Sequence, residues 1–290
     1  MYMHLNQPPT TAALTPPAPT LTFRAVLQGA ATLAWRNRQV RVDEDSWLVL
    51  DGRETCSVRL DPDRRTRMLT VAVSADDVAA ALASPLDAPA GGVVPGDASG
   101  ARREGRATSA GRPAELAFAD NLRPRDGPAG RRLLAIAQGR AAARPAPDER
   151  AQRIALVRDA WAEEGALRRK ADRFDCVKPA TREQLLRRIL LAADFIASRY
   201  DEPISLDEMA RAASLSRFHF VRLFSLVHGE TPHAFLRRKR IAVARRHLAV
   251  GSACSEAASR AGFGSRSSLF RNLRKAAPAA AGPEPCFPSA

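Results

Sequence analysis

Apolar and polar residues alternate in six short runs near the start of the chain: Leu21 to Leu27, Ala31 to Trp35, Val40 to Val42, Trp47 to Leu50, Ser57 to Leu60 and Met68 to Val73. Alternation over so few residues predicts strands, with Gly29, Asn37, Asp51-Gly52 and Asp61-Pro62-Asp63 supplying the reversals. Strands this close together in sequence suggest an antiparallel sandwich or barrel. From residue 82 to 113 the chain becomes an Ala, Gly, Pro and Arg mixture with little to bury, which reads as a loop or disordered insertion. A Pro-rich break follows at Arg144 to Pro147. Beyond it Ile154, Val157, Trp161 and Leu167 share one helical face. Such a stripe reads as core or, between two domains, as a dimer seam.

From Thr181 onward the period is helical throughout. Thr181 and Gln184 have the spacing of a capping box, as do Ser205 and Glu208. Thr231-Pro232 opens a helix to about Val250, which Gly251 closes. Within Leu206 to Val227, two short helices flank the turn Ser214-Leu215-Ser216. Small Ala210 and Ala213 allow close approach, and Leu215 plugs the turn. Phe220, Leu223, Phe224 and Val227 form the inner face of the second helix, so Arg217, Phe218, Val221 and Arg222 point outward. A short helix presenting arginines and apolar groups near its N-terminus suits a major groove, where arginine pairs with guanine and apolar groups touch thymine methyls. The bland alternative is two packed helices with solvated arginines.

The pattern repeats. Glu256 to Leu273 has small Ala257, Ala258 and Ala261, a turn at Gly262 with inward Phe263, and a helix capped by Ser265. Leu269 and Leu273 face in; Arg266, Ser267, Phe270 and Arg271 face out. The helix between the copies, roughly 28 Å long, can hold two recognition helices near the ~34 Å of one DNA turn.

Charge strengthens this picture only through its position. The net charge is +14, but just four of the 45 basic residues are lysines, a bias that a GC-rich genome also produces. From Thr181 to the end, however, 18 Lys and Arg face nine Asp and Glu, so the excess sits with the repeated motif and invites a polyanion. Cys56, Cys176, Cys254 and Cys286 form no CxxC pair, which argues against a zinc ribbon or disulfide framework. No run is apolar enough to span a membrane, and the start lacks the features of a signal peptide, so the expectation is a cytoplasmic protein.

The segment DFIASRYDEPISLDEMARAASLSRFHFVRLFSLVHGETPHAFLRRKRIAVARRHL, followed by EAASRAGFGSRSSLFRNLRK, resembles the DNA-binding domain of the AraC/XylS family of transcription regulators over about residues 185 to 275. The resemblance implies base and phosphate contacts from Arg217, Phe218, Val221 and Arg222 in one recognition helix and from Arg266, Ser267, Phe270 and Arg271 in the other. Phe270 and Asn272 depart from the family's usual residues. After Lys275 the chain runs AAPAAAGPEPCFPSA, whose prolines forbid the family's closing helix. More weakly, the N-terminal strands and FADNLRPRD at Phe118 to Asp126 resemble the family's cupin-like sensor domain.

A cupin enzyme holds its metal largely through histidines, and no histidine lies between Leu5 and Phe218. Asp43, Glu44 and Asp45 read as a solvated turn in preference to a carboxylate site. Cys56 reads as packing on a strand, and His219 as packing or a phosphate contact. No catalytic constellation, metal site or cofactor is expected.

The expected fold class is α+β in two domains: a β-rich cupin-like N-terminal domain and an all-α C-terminal domain with two helix-turn-helix motifs joined by a long helix. Residues 1–20 read as a disordered start, 21–145 as the sensor or interaction domain, 146–180 as a helical connector, 181–276 as the DNA-binding domain and 277–290 as a Pro-rich tail. The expected function is sequence-specific transcription regulation on double-stranded promoter DNA, modulated through the N-terminal domain by a small-molecule effector or a partner. RNA polymerase and a second copy are the other expected partners, and the nucleoid the expected place. Two rivals remain: a DNA reader with a degenerate, non-sensing interaction domain, and a non-metal cupin enzyme fused to a DNA reader.

Overall fold

A computed structural model of the chain describes residues 21–52, 55–61, 66–83, 118–141, 148–175 and 178–276. The expected insertion at 82–113, apart from its first two residues, and the expected Pro-rich tail at 277–290 lie outside these residues.

Among the described residues, seven strands form two antiparallel sheets. Strands β1 (Leu21–Gln28), β4 (Ser46–Asp51), β6 (Arg67–Val73) and β7 (Arg123–Pro124) make one in the order β6-β1-β4-β7. Strands β2 (Ala30–Trp35), β3 (Arg38–Asp43) and β5 (Ser57–Leu60) make the other in the order β3-β2-β5. Gly29 turns β1 into β2 at a φ of 82°, where a Cβ would lie 2.7 Å from the Thr66 hydroxyl. All six expected runs are strands, and Cys56 lies just before β5, half-buried against the core, where burial pushes its thiol pKa up.

The four-stranded sheet is covered on both faces, which explains the nearly unbroken apolar run of β4. Val26, Leu48 and Leu50 meet Leu33, Trp35, Val40 and Val42 of the other sheet. On the opposite face Phe23, Trp47, Val49 and Val71 pack under three helices: α1 (Ala75–Ala83), α2 (Pro128–Ala141) and α3 (Glu149–Ala171). Helix α1 takes the first two residues of the stretch expected to be an insertion, and α2 is also new. Both are alanine-rich, and a pattern so poor in large side chains shows no period until the sheet they cover is known.

Between the two readings of the Ile154, Val157 and Trp161 stripe, core and dimer seam, the burial of helix α3 favours core. Leu156, Val157 and Ala160 are fully buried against this sheet, with Ile154 and Trp161 half-buried beside them. That face is core, covered by the chain itself. The far end of α3 enters the C-terminal core through Leu167 and Ala171. At mid-length Glu164 forms a buried ion pair with Arg123, whose guanidinium also lies over Trp47 and Phe118.

Six more helices follow among the described residues: α4 (Pro179–Ser198), α5 (Leu206–Ala212), α6 (Arg217–His228), α7 (Pro232–Ala249), α8 (Cys254–Arg260) and α9 (Arg266–Ala276). The capping box expected at Thr181 is not used. Pro179 stands in the first turn of α4 behind Lys178, and Thr181 N–H and Arg182 N–H donate to the Lys178 carbonyl. Proline needs no partner there and its φ is already helical, so it starts the helix two residues earlier.

The two halves meet through ion pairs. Lys239 Nζ on α7 donates to Asp43 Oδ1 at 2.7 Å, and Arg246 Nη2 lies 3.1 Å from Asp43 Oδ2 and 3.0 Å from Asp45 Oδ2. In the reverse direction Arg38 Nη2 on β3 donates to Asp194 Oδ2 on α4 at 2.7 Å. Arg41 N–H donates to Ser198 Oγ at 3.0 Å. The solvated turn expected at Asp43, Glu44 and Asp45 is therefore corrected: Asp43 is 4% exposed and Glu44 Oε1 accepts the Gly29 N–H. Burial alone would raise the Asp43 carboxyl pKa, but Lys239 and Arg246 outweigh it and hold it at about 2.

Candidate nucleic-acid interface

Both halves of the C-terminal region build the same turn. In the first, Ser205 Oγ accepts the Glu208 N–H at 3.3 Å while Glu208 Oε2 accepts the Ser205 N–H at 2.8 Å, the reciprocal box that starts α5. Ala213 and then Ser214, at a φ of 52°, reverse the chain, and Leu215 N–H donates to the Ala210 carbonyl at 3.0 Å. Ser216 caps α6. In the second, Gly262 takes the left-handed position at a φ of 73° and Phe263 N–H donates to the Ala258 carbonyl at 2.8 Å. Ser265 Oγ accepts the Ser268 N–H at 3.1 Å at the start of α9. The two turns thus share one hydrogen bond and one inward apolar plug.

Packing explains which residues can face a ligand. Ala210, Ala213, Ala257, Ala258 and Ala261 are buried, so each first helix lies close against its neighbours. Phe220, Leu223, Phe224 and Val227 fill the core from α6, with Phe224 edge-on to Phe220 and Phe235. Leu269 is fully buried on α9, with Leu273 half-buried beside it. The 18-residue α7 joins the copies, Thr231 capping its start and Gly251, at a φ of 82°, following its end.

Of the residues expected to face out on α6, Arg217, Phe218 and Arg222 are exposed, Phe218 at 81%. Val221 is half-buried against the core, so its outer edge alone is free. On α9 Arg266, Ser267 and Arg271 are exposed and Phe270 is half-buried. His219 is exposed, its backbone N–H turned to Ser216 Oγ at 3.5 Å. Both copies therefore present arginines at the first and sixth positions of the second helix.

Sequence reasoning did not find the acids that meet these arginines. Arg217 is paired with Asp207 at the start of α5, and Arg222 with Asp175 in the connector between α3 and α4. Lys170, at the end of α3, donates to the Val227 carbonyl at 2.8 Å, so α6 is held at its middle by Asp175 and near its C-terminal end by Lys170. No periodicity signals such pairs, because each joins residues from different elements. His228, tilted over Phe224 and edge-on to Phe235, is held neutral by burial and by Lys170 and Arg238, its pKa down to about 4.

Among the described residues no cluster of His, Cys, Asp or Glu is arranged to hold a metal, and no helix is long and apolar enough to cross a membrane. A cavity of about 170 Å³ opens where the halves meet, lined by Gly29, Arg41, Asp43, Tyr200 and Arg246 among others. Another, of about 140 Å³, lies between α3 and α4 beside Phe118, Glu164, Arg168 and Leu186.

Two packed helices with an inward plug between them, repeated about a rigid spacer, define a helix-turn-helix DNA-binding protein. Residues 209–279 match the family model described as a helix-turn-helix domain, and this part of the chain is a helix-turn-helix domain of the AraC type. Among solved structures, ToxT from Vibrio cholerae O395 is similar at 10% identity, covering 88% of this chain and 84% of its own, with a TM-score of 0.31. The xylose-binding transcription activator XylR is similar at 18% identity over 43% of this chain and 36% of its own, with a TM-score of 0.28. No curated protein matches the sequence.

Proposed function

We propose that the chain is a sequence-specific transcription regulator of the AraC/XylS kind, in which α6 and α9 enter two successive major-groove segments on one face of promoter DNA. Arg217, Phe218, Val221 and Arg222 meet the first segment; Arg266, Ser267, Phe270 and Arg271 meet the second. The single observation that supports this reading is the repeated turn, with exposed arginines at matching positions on either side of one 18-residue helix. An 18-residue helix is roughly 27 Å long, and with the width of the flanking helices it suits the ~34 Å separation of adjacent major-groove faces.

In this proposal residues 21–145 form the receiving domain, cupin-like in architecture, with α3 as the connector and 181–276 as the reading domain. A small molecule or a protein partner that binds the receiving domain differently in two states shifts the reading domain's affinity, as linkage requires. The protein acts by binding and not by catalysis, in the cytoplasm on the nucleoid, and its further partners are RNA polymerase and a second copy. Any second copy docks elsewhere than on the buried α3 stripe.

The test is selection of genomic fragments by the purified chain at two salt concentrations. Phosphate contacts weaken steeply with salt while base contacts keep their preference. Enrichment of a common motif at the higher salt is expected; sequence-blind binding that vanishes with salt contradicts the proposal.

A further inference from the structure

The two arginines of α6 are held in different ways. Asp207 grips Arg217 along the side of its guanidinium: Oδ1 accepts from Nε, and Oδ2 accepts from Nη2 at 2.5 Å. Arginine has two edges of paired donors, and this grip leaves the end edge, Nη1 with the second hydrogen of Nη2, without a partner from Asp207. The end edge matches the O6 and N7 acceptors of guanine. Asp175 meets Arg222 through Nη2 alone, a nitrogen shared by both edges. Asp175 therefore fixes Arg222 at one nitrogen, whereas Asp207 fixes Arg217 at two, and a base read through the end edge of Arg217 need not displace Asp207.

The anchor beneath Asp207 is firm. It is the second residue of α5, directly between the two members of the Ser205–Glu208 capping box, and α5 packs its Met209 and Ala210 into the core shared with α6. A long side chain that starts ordered loses less freedom on binding than one that starts free. An exposed ion pair by itself contributes less than about fivefold, while a good bidentate base contact contributes about five- to a hundredfold. The value of the pair therefore lies in where it holds Arg217.

We propose that Asp207 is a positioning residue for DNA reading, holding Arg217 side-on so that its end edge reads a guanine in the segment facing α6. The proposal rests on α6 being a recognition helix. It carries an unusual sign. An acid near DNA repels phosphate, and simple electrostatics has every such acid weaken binding; here removal of the acid weakens specific binding.

The full-length chain is used with three probes: the duplex it enriches from a randomised library, the same duplex with 7-deazaguanine in the segment facing α6, and poly(dA-dT), which offers no guanine. Asp207→Asn is expected to bind the enriched duplex about five- to tenfold more weakly than the parent, while its poly(dA-dT) binding holds or tightens, which also shows that the fold survives. The penalty for 7-deazaguanine shrinks with it. Asp207→Glu, which keeps the carboxylate, restores the preference, and Asp207→Asn adds nothing on top of Arg217→Ala. Asp175→Asn removes the same charge from the same face without touching Arg217. If Asp207→Asn tightens the enriched duplex as Asp175→Asn does, or keeps the full 7-deazaguanine penalty, the proposal is overturned. If Arg217→Ala itself leaves the enriched duplex and its 7-deazaguanine penalty unchanged, the reading of α6 falls with it.

Discussion

Asp43 shows how much a single side chain can change meaning between sequence and structure. Three acids in a row at the end of a strand read as a turn, because nothing adjacent in sequence neutralises them; the partners, Lys239 and Arg246, come from a helix about 200 residues later. A buried carboxylate with two cations is strongly coupled to them, and removing it leaves Lys239 buried with Asp45 and the face of the Tyr200 ring for compensation among the described residues. Asp43→Ala is expected to cost about 2–3 kcal/mol in denaturant unfolding; a cost below about 0.5 kcal/mol contradicts the buried-pair account. Asp194 adds a pH signature. Burial lifts its carboxyl pKa to about 7 although Arg38 and the Leu122 N–H favour the charged form. Its contribution to stability is thus complete below the ordinary carboxylate range and is lost as pH rises through about 7. His228, depressed to about 4, works in the opposite direction, its contribution fading as pH falls from 6.5 toward 4. Comparison with Asp194→Asn isolates the first effect. The parent's melting temperature relative to the variant is expected to rise as pH is lowered from about 8 to about 5, and a constant difference contradicts it.

At the scale of elements, what could be read from sequence was what local chemistry dictates. The six strands, the Ser205 box, the Thr231-Pro232 start and both helix-turn-helix turns follow from alternation, caps and glycine placement within a few residues. Helices α1 and α2 did not, since stretches such as Ala75–Ala83 become amphipathic only against the sheet that buries Val78 and Ala81. Thr181 misled because a proline two residues earlier supplies a better start. The two left-handed glycines that end α6 and α8 separate conformation from space. At Gly229 a Cβ meets nothing within 4 Å, so Gly229→Ala is expected to cost about 1 kcal/mol. At Gly262 it would lie 2.7 Å from the Asp201 Cα and the Tyr200 carbonyl oxygen. Gly262→Ala is therefore expected to cost about 2 kcal/mol or more and to loosen the second turn. Thermal melts of the two variants check the order, and equal costs would remove the close approach as the reason for glycine at 262.

At the scale of the molecule, a β-rich half and a helical half share α3, whose first turns belong to one core and whose last turns belong to the other. Opposed ion pairs join them: an acid of the sheets meets cations on α7, and an acid on α4 meets a cation of the sheets. Because α7 is also the spacer between α6 and α9, the two proposed recognition helices, any change at this junction bears on the part of the molecule that sets their separation. The position of the charge excess and the repeat of the motif were legible beforehand; the junction was not, since its partners come from opposite ends of the chain. The central claim is that one chain reads two major-groove segments a helical turn apart. Hydroxyl-radical footprinting with guanine-methylation interference, on a duplex that the full chain enriches, tests it most directly. Two interference clusters about 10–10.5 base pairs apart on one face are expected, the first lost in Arg217→Ala with Arg222→Ala and the second in Arg266→Ala with Arg271→Ala. A single cluster, untouched by the α9 variants, would contradict it.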